Sequence, residues 1–81
     1  LYTQAEYRTS CGRIDLLIST EKYVYVIELK LDATAEEALE QINRKEYSLP
    51  FVADGRTVVK IGANISSKTR NLEQWKVEYA K

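Results

Sequence analysis

Three charged residues on two neighbouring apolar segments are the strongest candidates for chemistry in this sequence. Residues 12–18 include one acidic residue, Asp15, and residues 23–30 end on Glu28 and Lys30. Because side chains alternate along a strand, Glu28 and Lys30 point to the same face. If the two strands are neighbours, Asp15 joins them. Burying such charges is costly unless they are paired or bind a metal, so the cluster indicates an ion-paired or metal-binding site.

The elements that must position these residues are strands joined by short connections. Residues 2–9, 13–19 and 23–31 are predicted to form an antiparallel meander. The third strand is apolar over most of its length, which is expected of a central strand covered on both faces. Residues 57–65 and 72–79 are the fourth and fifth predicted strands.

A helix with a clear start lies between the third and fourth strands. Thr34 and Glu37 have the spacing of a capping box, and we expect the helix to end near Tyr47, before Pro50. Its apolar stripe is Ala35, Ala38, Leu39 and Ile42. The order β-β-β-α-β-β predicts an α/β domain with a mixed sheet, in which the helix makes the third and fourth strands parallel.

Composition narrows the class of protein. A chain of 81 residues holds one small domain. Twelve basic and twelve acidic residues give no net charge, so the totals show no basic footprint for nucleic acid. The single cysteine, Cys11, excludes an internal disulfide framework and fits a reducing cytosol, so we expect a cytoplasmic protein. No apolar run approaches the ~18–20 residues of a membrane span. The absence of methionine, even at position 1, suggests a piece of a larger protein.

The order and spacing of the charged residues resemble the PD-(D/E)XK nuclease superfamily. In that pattern an acidic residue on one core strand meets Glu/Asp-x-Lys on the next, as Asp15 and the tripeptide at 28–30 do here. Gln41 stands on the following helix and Tyr47 comes shortly after it, a recurrent extra motif of several nuclease branches. Over about residues 12–64 the chain looks like the nuclease-like domains at the C-terminus of bacterial AAA-ATPase-like proteins.

This resemblance implies a minimal restriction-endonuclease-like fold, with residues 1–81 as one domain that lacks the N-terminal helix of many members. It also implies Mg²⁺- or Mn²⁺-dependent hydrolysis of phosphodiester bonds in DNA or RNA. Mg²⁺ prefers oxygen ligands, and a bound metal activates water and stabilises charge on phosphate. Many members take a further glutamate from the missing helix, and Glu6 is its nearest substitute here.

The same resemblance assigns roles to individual residues. Asp15, Glu28 and the Leu29 carbonyl are the implied metal ligands. Lys30 would orient the attacking water or balance the developing negative charge. Gln41 would help to position the water, metal or phosphate. The implied partners are nucleic acid, with DNA favoured, and an upstream ATPase domain of the same protein. A homodimer is left open, and no membrane partner is expected.

Other interpretations remain open at this stage. The same fold could be a catalytically inactive module for nucleic-acid binding or oligomerisation, or a structural domain in which the charged cluster is coincidental. Glu28 and Lys30 could then be an exposed ion pair that contributes well under ~1 kcal/mol. The predicted aromatic core residues are Tyr25, Phe51, Trp75 and Tyr79, and a phosphate-contacting edge or a solvated face is formed by Lys60, Lys68, Arg70 and Lys76.

Overall fold

The computed structural model describes residues 2–9 and 12–80, so the predicted turn around Cys11 lies partly outside the described residues. The elements are β1 (Tyr2–Thr9), β2 (Gly12–Ser19), β3 (Tyr23–Leu31), α1 (Ala35–Arg44), a 3₁₀ helix (Leu49–Asp54), β4 (Thr57–Ile65) and β5 (Leu72–Ala80). Neither of these two helices has the length and apolar character that a membrane crossing requires.

The five strands form one mixed sheet in the order β1-β2-β3-β4-β5. All neighbours are antiparallel except β3 and β4, which are parallel and connected through α1. The predicted meander, the parallel pair and the central position of β3 are therefore confirmed. The architecture is the α/β mixed sheet expected of a restriction-endonuclease-like fold.

The core lies between the helical segments and one face of the sheet. Val24 and Val26 of β3 are fully buried there, next to Val58 of β4. Residues from α1 and the segment after it complete this cluster: Ile42, Tyr47 and Phe51. Full burial of an aliphatic side chain stabilises the fold by about 1.5–3 kcal/mol, so this single layer of contacts holds α1 over β3 and β4.

The start of α1 agrees with the predicted cap. The Thr34 hydroxyl accepts a hydrogen bond from the Glu37 backbone N–H at 3.0 Å, as an N-cap side chain does. The reciprocal half of the capping box differs, because the Thr34 hydroxyl itself lies 3.3 Å from the Glu37 carboxylate. Two acidic side chains, Glu36 and Glu37, occupy the first turn, where the helix dipole favours negative charge.

The end of α1 corrects the prediction, since the helix stops at Arg44 rather than near Tyr47. Glu46 adopts the left-handed conformation with φ 53°. The Tyr47 N–H then donates to the Ile42 carbonyl at 3.1 Å, which is the pattern of a Schellman motif. This turn directs the Tyr47 ring into the core instead of extending the helix.

Gly62 allows α1 to lie directly on β4. A Cβ atom at this position would meet the Leu39 backbone nitrogen and would lie 2.6 Å from the Ala35 carbonyl oxygen. Any side chain here would therefore push the helix away from the sheet. The close approach places the middle of α1 above the β3–β4 pair.

Two predictions about the opposite face of the sheet are wrong. Leu31 and Leu29 of β3 are exposed, so the strand is not covered on both faces. Trp75 and Tyr79 are 62% and 64% exposed and do not belong to the core, whereas Phe51 does. The physical reason is that both described helices pack on one face, and the period of two in β5 directs its aromatic residues to the other.

Candidate active site

Asp15 lies where β2 and β3 separate. The two strands pair as far as Leu16 opposite Ile27. Beyond that point the Leu29 backbone N–H donates to the Asp15 carboxylate at 2.9 Å. A side chain thus replaces the neighbouring strand as the hydrogen-bond partner of β3, and this brings the carboxylate to the edge of the Glu28–Lys30 segment.

A local bend in the β1–β2 hairpin explains the position of Asp15. Ile14 and Leu17 are both buried, although residues three apart in a regular strand point to opposite faces. Opposite the bend, Glu6 of β1 has φ 56°. Because the alternation is interrupted at this point, Asp15 is aimed along the sheet towards β3.

Gln41 connects the two charged residues of β3. Its side-chain nitrogen donates to Glu28 Oε2, and its side-chain oxygen accepts from the Lys30 ammonium. The amide orientation follows from these partners, since only its oxygen can accept from an ammonium. The Tyr47 hydroxyl lies 3.5 Å from the same amide nitrogen. Three of the predicted site residues are thereby held together by α1.

Glu28 is the single charged residue among the buried residues of the described chain, with 5% of its surface exposed. Burial is the largest cause that raises the pKa of its carboxyl from 4.5 to about 7, and the Asp15 charge raises it further. The Lys30 charge acts in the opposite direction. Oε1 of Glu28 is buried and accepts no hydrogen bond from the described residues, and a hydrogen bond between the protonated carboxyl and Asp15 adds to the rise in pKa. This carboxylate therefore gains much from a nearby cation.

The donor set fits a hard divalent cation. Asp15 and Glu28 provide two neighbouring carboxylates, and the buried Oε1 atom of Glu28 accepts no hydrogen bond from the described residues. The Leu29 carbonyl leaves β3 on the same side as its N–H, which faces Asp15. Mg²⁺ commonly binds through one or two carboxylates and keeps several waters. In the described part of the chain, no group of three or more His, Cys, Asp or Glu residues is placed to hold a metal.

Other sequence candidates are separate from this cluster. Glu6 lies on β1 and does not complete an acidic triplet among the described residues. Lys60 pairs with Glu78, and Lys76 pairs with Glu36, each at 3.2 Å. These two lysines are thus engaged in ion pairs within the protein.

A cleft elsewhere on the surface is also separate from the cluster. With a volume of about 320 Å³, it lies between the start of α1 and β5 and contains none of the predicted site residues. Its charged lining includes Glu36 and Lys76, which neutralise each other. We therefore locate the candidate site at Glu28, where a carboxyl group is buried next to Asp15 and one of its oxygens accepts no hydrogen bond from the described residues.

One neighbour of the site was missed by sequence reasoning. Asn64 of β4 is directly paired with Lys30 of β3, and its side-chain oxygen is buried without a hydrogen-bond partner. The sequence signal that could have identified it is that Asn64 is a polar residue near the otherwise apolar end of β4. Its relation to Lys30 depends on the β3–β4 register, which the sequence does not specify by itself.

Comparison with known proteins agrees with this geometry. A family model described as the PD-(D/E)XK nuclease superfamily matches residues 1–75, a range that includes all four predicted site residues. Neither the curated proteins nor the solved structures gave a match. Because the family model covers most of the 81 residues, the chain belongs to the PD-(D/E)XK nuclease superfamily.

Proposed function

We propose that this domain hydrolyses phosphodiester bonds in nucleic acid, with DNA as the substrate, and that it requires Mg²⁺ or Mn²⁺. The observation that carries this proposal is the buried Glu28 carboxylate, held by Gln41 to the Lys30 ammonium and flanked by Asp15. A buried carboxylate beside a second, partly exposed carboxylate is costly unless the charges are paired or bind a metal.

The metal would be held by Asp15, Glu28 and the Leu29 carbonyl. When bound, such an ion stabilises charge on the phosphate and lowers the pKa of a bound water. Glu28 must lose its proton to become a ligand, so cation binding competes with that proton. Because the pKa of Glu28 is about 7, we expect metal affinity to rise with pH through neutrality.

Lys30 and Gln41 would act on the substrate side of the site. An ammonium group has three donors, and one of those on Lys30 is directed to Gln41. The remaining donors can orient the attacking water or stabilise charge on the phosphate. Gln41 separates the ammonium from the Glu28 carboxylate, so Lys30 is held in place without being neutralised by direct contact.

A further part of the proposal concerns the rest of the protein and its location in the cell. We infer an upstream ATPase domain of the same protein and a cytoplasmic location. The ATPase inference rests on the resemblance of residues 12–64 to the nuclease-like domains of AAA-ATPase-like proteins, and the location rests on the single cysteine.

A second candidate is an inactive nuclease-like module that binds nucleic acid or mediates oligomerisation. Two observations favour it: the net charge is zero, and the described residues contain no group of three acidic, His or Cys side chains placed for a metal. An inactive module would bind its partner without a metal, whereas a nuclease would not turn over without one.

The two candidates are separated by measuring Mn²⁺ binding by calorimetry and Mg²⁺-dependent cleavage of an end-labelled DNA duplex. We expect the wild type to bind Mn²⁺ and to cut, and Glu28→Gln to do neither. Glu78→Gln is the matched control, because Glu78 belongs to a similar lysine–amide–glutamate group outside the site. Robust cutting by Glu28→Gln would refute the assignment, and DNA binding without metal binding or cutting would support the inactive module.

A further inference from the structure

Asn64 stands next to Lys30 on the helix-covered face of the sheet. In the parallel register of β3 and β4, Lys30 pairs with Asn64, and Glu28 pairs with Gly62. Paired residues of neighbouring strands share a face, and their backbones lie about 4.8 Å apart. Since Gly62 has no side chain, Asn64 is the neighbour that β4 presents to this end of the site.

Two buried acceptors that accept no hydrogen bond from the described residues flank the same lysine. In the described part of the chain, the buried side-chain atoms without a hydrogen bond are Glu28 Oε1 and Asn64 Oδ1. Lys30 follows Glu28 by two residues on β3 and lies directly across from Asn64 on β4. Buried polar atoms are nearly always hydrogen-bonded, and leaving an acceptor unpaired is costly. Glu28 can meet this requirement through its hydrogen bond with Asp15 when it is protonated, whereas Asn64 Oδ1 requires a donor from a neighbouring side chain.

Lys30 of β3 and Gln74 of β5 both neighbour Asn64 in the sheet and carry N–H donors, and of the two the Lys30 ammonium belongs to the proposed site. Gln41 takes one of its three N–H groups. We propose that Asn64 is a positioning residue for Lys30: its side-chain oxygen is a second acceptor for the ammonium, which alternates between Gln41 and Asn64. Its catalytic consequence rests on the proposed function, because Asn64 then determines where Lys30 stands relative to the substrate.

A hydrogen bond from a lysine to an asparagine is observed elsewhere on this face. Asn43 Oδ1 accepts from the Lys60 ammonium at 2.6 Å, and Glu78 lies 3.2 Å from the same ammonium. An asparagine oxygen and a carboxylate thus already share one lysine in this fold. The Asn43–Lys60 pair lies outside the proposed site and provides a matched control.

The direct test follows the side-chain ¹⁵Nζ and ¹³Cε NMR signals of the lysines in the full chain. In Asn64→Leu, which keeps the side-chain size but removes the amide, we expect the Lys30 signals to move and those of Lys60 to stay. Asn43→Leu should give the reverse pattern. If the Lys30 signals do not move in a folded Asn64→Leu protein, the inference is wrong. Asn64→Ala provides the same readout if the leucine variant does not fold.

A kinetic test asks whether the contact matters for cleavage of a DNA duplex with Mg²⁺. Loss of a hydrogen bond to a charged group corresponds to a fall in kcat of roughly tenfold or more, with KM changed by less than about twofold. Asn64→Ser, which retains an acceptor, should recover part of the loss. In a Lys30→Ala background, Asn64→Leu should have no further effect on kcat. A full additional loss in that background would contradict action through Lys30.

The two tests fail in different ways. If the wild type does not cut DNA, the proposed function is wrong, and the NMR result still decides whether Asn64 holds Lys30. If the wild type cuts but Asn64→Leu changes neither the Lys30 signals nor kcat, only the role of Asn64 is wrong.

Discussion

Two groups, each made of a lysine, a side-chain amide and a glutamate, lie under α1. The pKa of the glutamate is shifted in opposite directions in the two groups. The central group consists of Lys30, Gln41 and Glu28. The edge group consists of Lys60, Asn43 and Glu78. In each, an amide of α1 accepts from a lysine ammonium of the sheet. Yet the pKa of Glu28 is raised to about 7, whereas the hydrogen bond from Lys60 lowers the pKa of Glu78.

Burial and the order of contacts account for this difference. Glu28 is buried, whereas the side chain of Glu78 is 47% exposed. In the edge group the ammonium contacts the carboxylate directly at 3.2 Å. In the central group Gln41 stands between them, and Asp15 adds a second negative charge. The edge group is internally neutralised, whereas the central group has two neighbouring carboxyl groups and a buried oxygen that accepts no hydrogen bond from the described residues, so it can use a cation.

The largest contrast is expected from removing each lysine. Lys30→Ala should lower kcat for Mg²⁺-dependent DNA cleavage by about 10²–10³-fold, the size expected when a group that stabilises developing charge is lost. Lys60→Ala should stay within about twofold, because a surface ion pair contributes little. Single-turnover assays on an end-labelled duplex measure both. Equal losses in the two variants would remove the distinction between the groups.

The next contrast is the effect of neutralising each glutamate on stability. Between pH 4.5 and about 7 the folded protein retains a proton on Glu28 that the unfolded chain releases, so stability falls as pH rises through this range. Glu28→Gln should remove that loss and stabilise the protein at pH 8 by up to about 3 kcal/mol, from roughly 1.4 kcal/mol per pKa unit.

Glu78→Gln should have a small effect of the opposite sign. The pKa of Glu78 is lowered, so its stabilising contribution is present above the ordinary pKa and is lost as pH falls. Urea unfolding of both variants and the wild type at pH 5 and pH 8 measures the two signs. A Glu28→Gln protein that is less stable than the wild type at pH 8 would contradict the electrostatic account.

A third comparison tests whether the close packing of α1 on β4 positions the side-chain amides of Gln41 and Asn43. Gly62→Ala introduces a Cβ against the backbone of Leu39 and Ala35 and should cost about 1–3 kcal/mol, as overpacking does. Displacing the helix should weaken the contacts of Gln41 and Asn43 together. Gly55→Ala is the control, because φ there is 84° but the space is open, so we expect a loss of about 1 kcal/mol. Thermal unfolding compares them, and equal losses would argue against close helix packing.

The smallest expected effect concerns the turn that ends α1. Glu46 adopts φ 53°, a conformation in which glycine is favoured at the residue after a helix C-cap. Glu46→Gly should therefore stabilise the protein by about 0.5 kcal/mol. Neither group uses the Glu46 side chain, so DNA cleavage should be unchanged. Loss of stability on urea unfolding would show that the Glu46 side chain makes contacts that matter more than the backbone conformation.

Much of the fold follows from local patterns in the sequence. Alternation in β3, the Thr34 cap and the apolar stripe of α1 predicted the order of the elements and the parallel pairing of β3 with β4. Trp75 and Tyr79 were misplaced because alternation gives the two faces of a strand but not which face is covered. The end of α1 was misplaced because the left-handed turn at Glu46 uses a residue that carries no glycine-like signal.

The candidate site was predictable in its members and not in its arrangement. The resemblance to the nuclease superfamily, carried by residue order and spacing, predicted Asp15, Glu28, Lys30 and Gln41 as members. The bend that aims Asp15 at the Leu29 N–H depends on the pairing of β1 with β2, whose register passes over Glu6 and Asp15, and the position of Asn64 depends on the β3–β4 register. Both are long-range properties that no local pattern encodes.

The central claim is that Glu28 is a buried carboxylate prepared to receive a cation. The most direct measurement is an NMR pH titration of the glutamate ¹³Cδ signals, with and without saturating Mg²⁺. We expect Glu28 to titrate near pH 7 without metal and at a clearly lower pH with it, while Glu78 titrates below 4.5 in both conditions. A Glu28 midpoint near 4.5, or one that Mg²⁺ does not move, would contradict the claim.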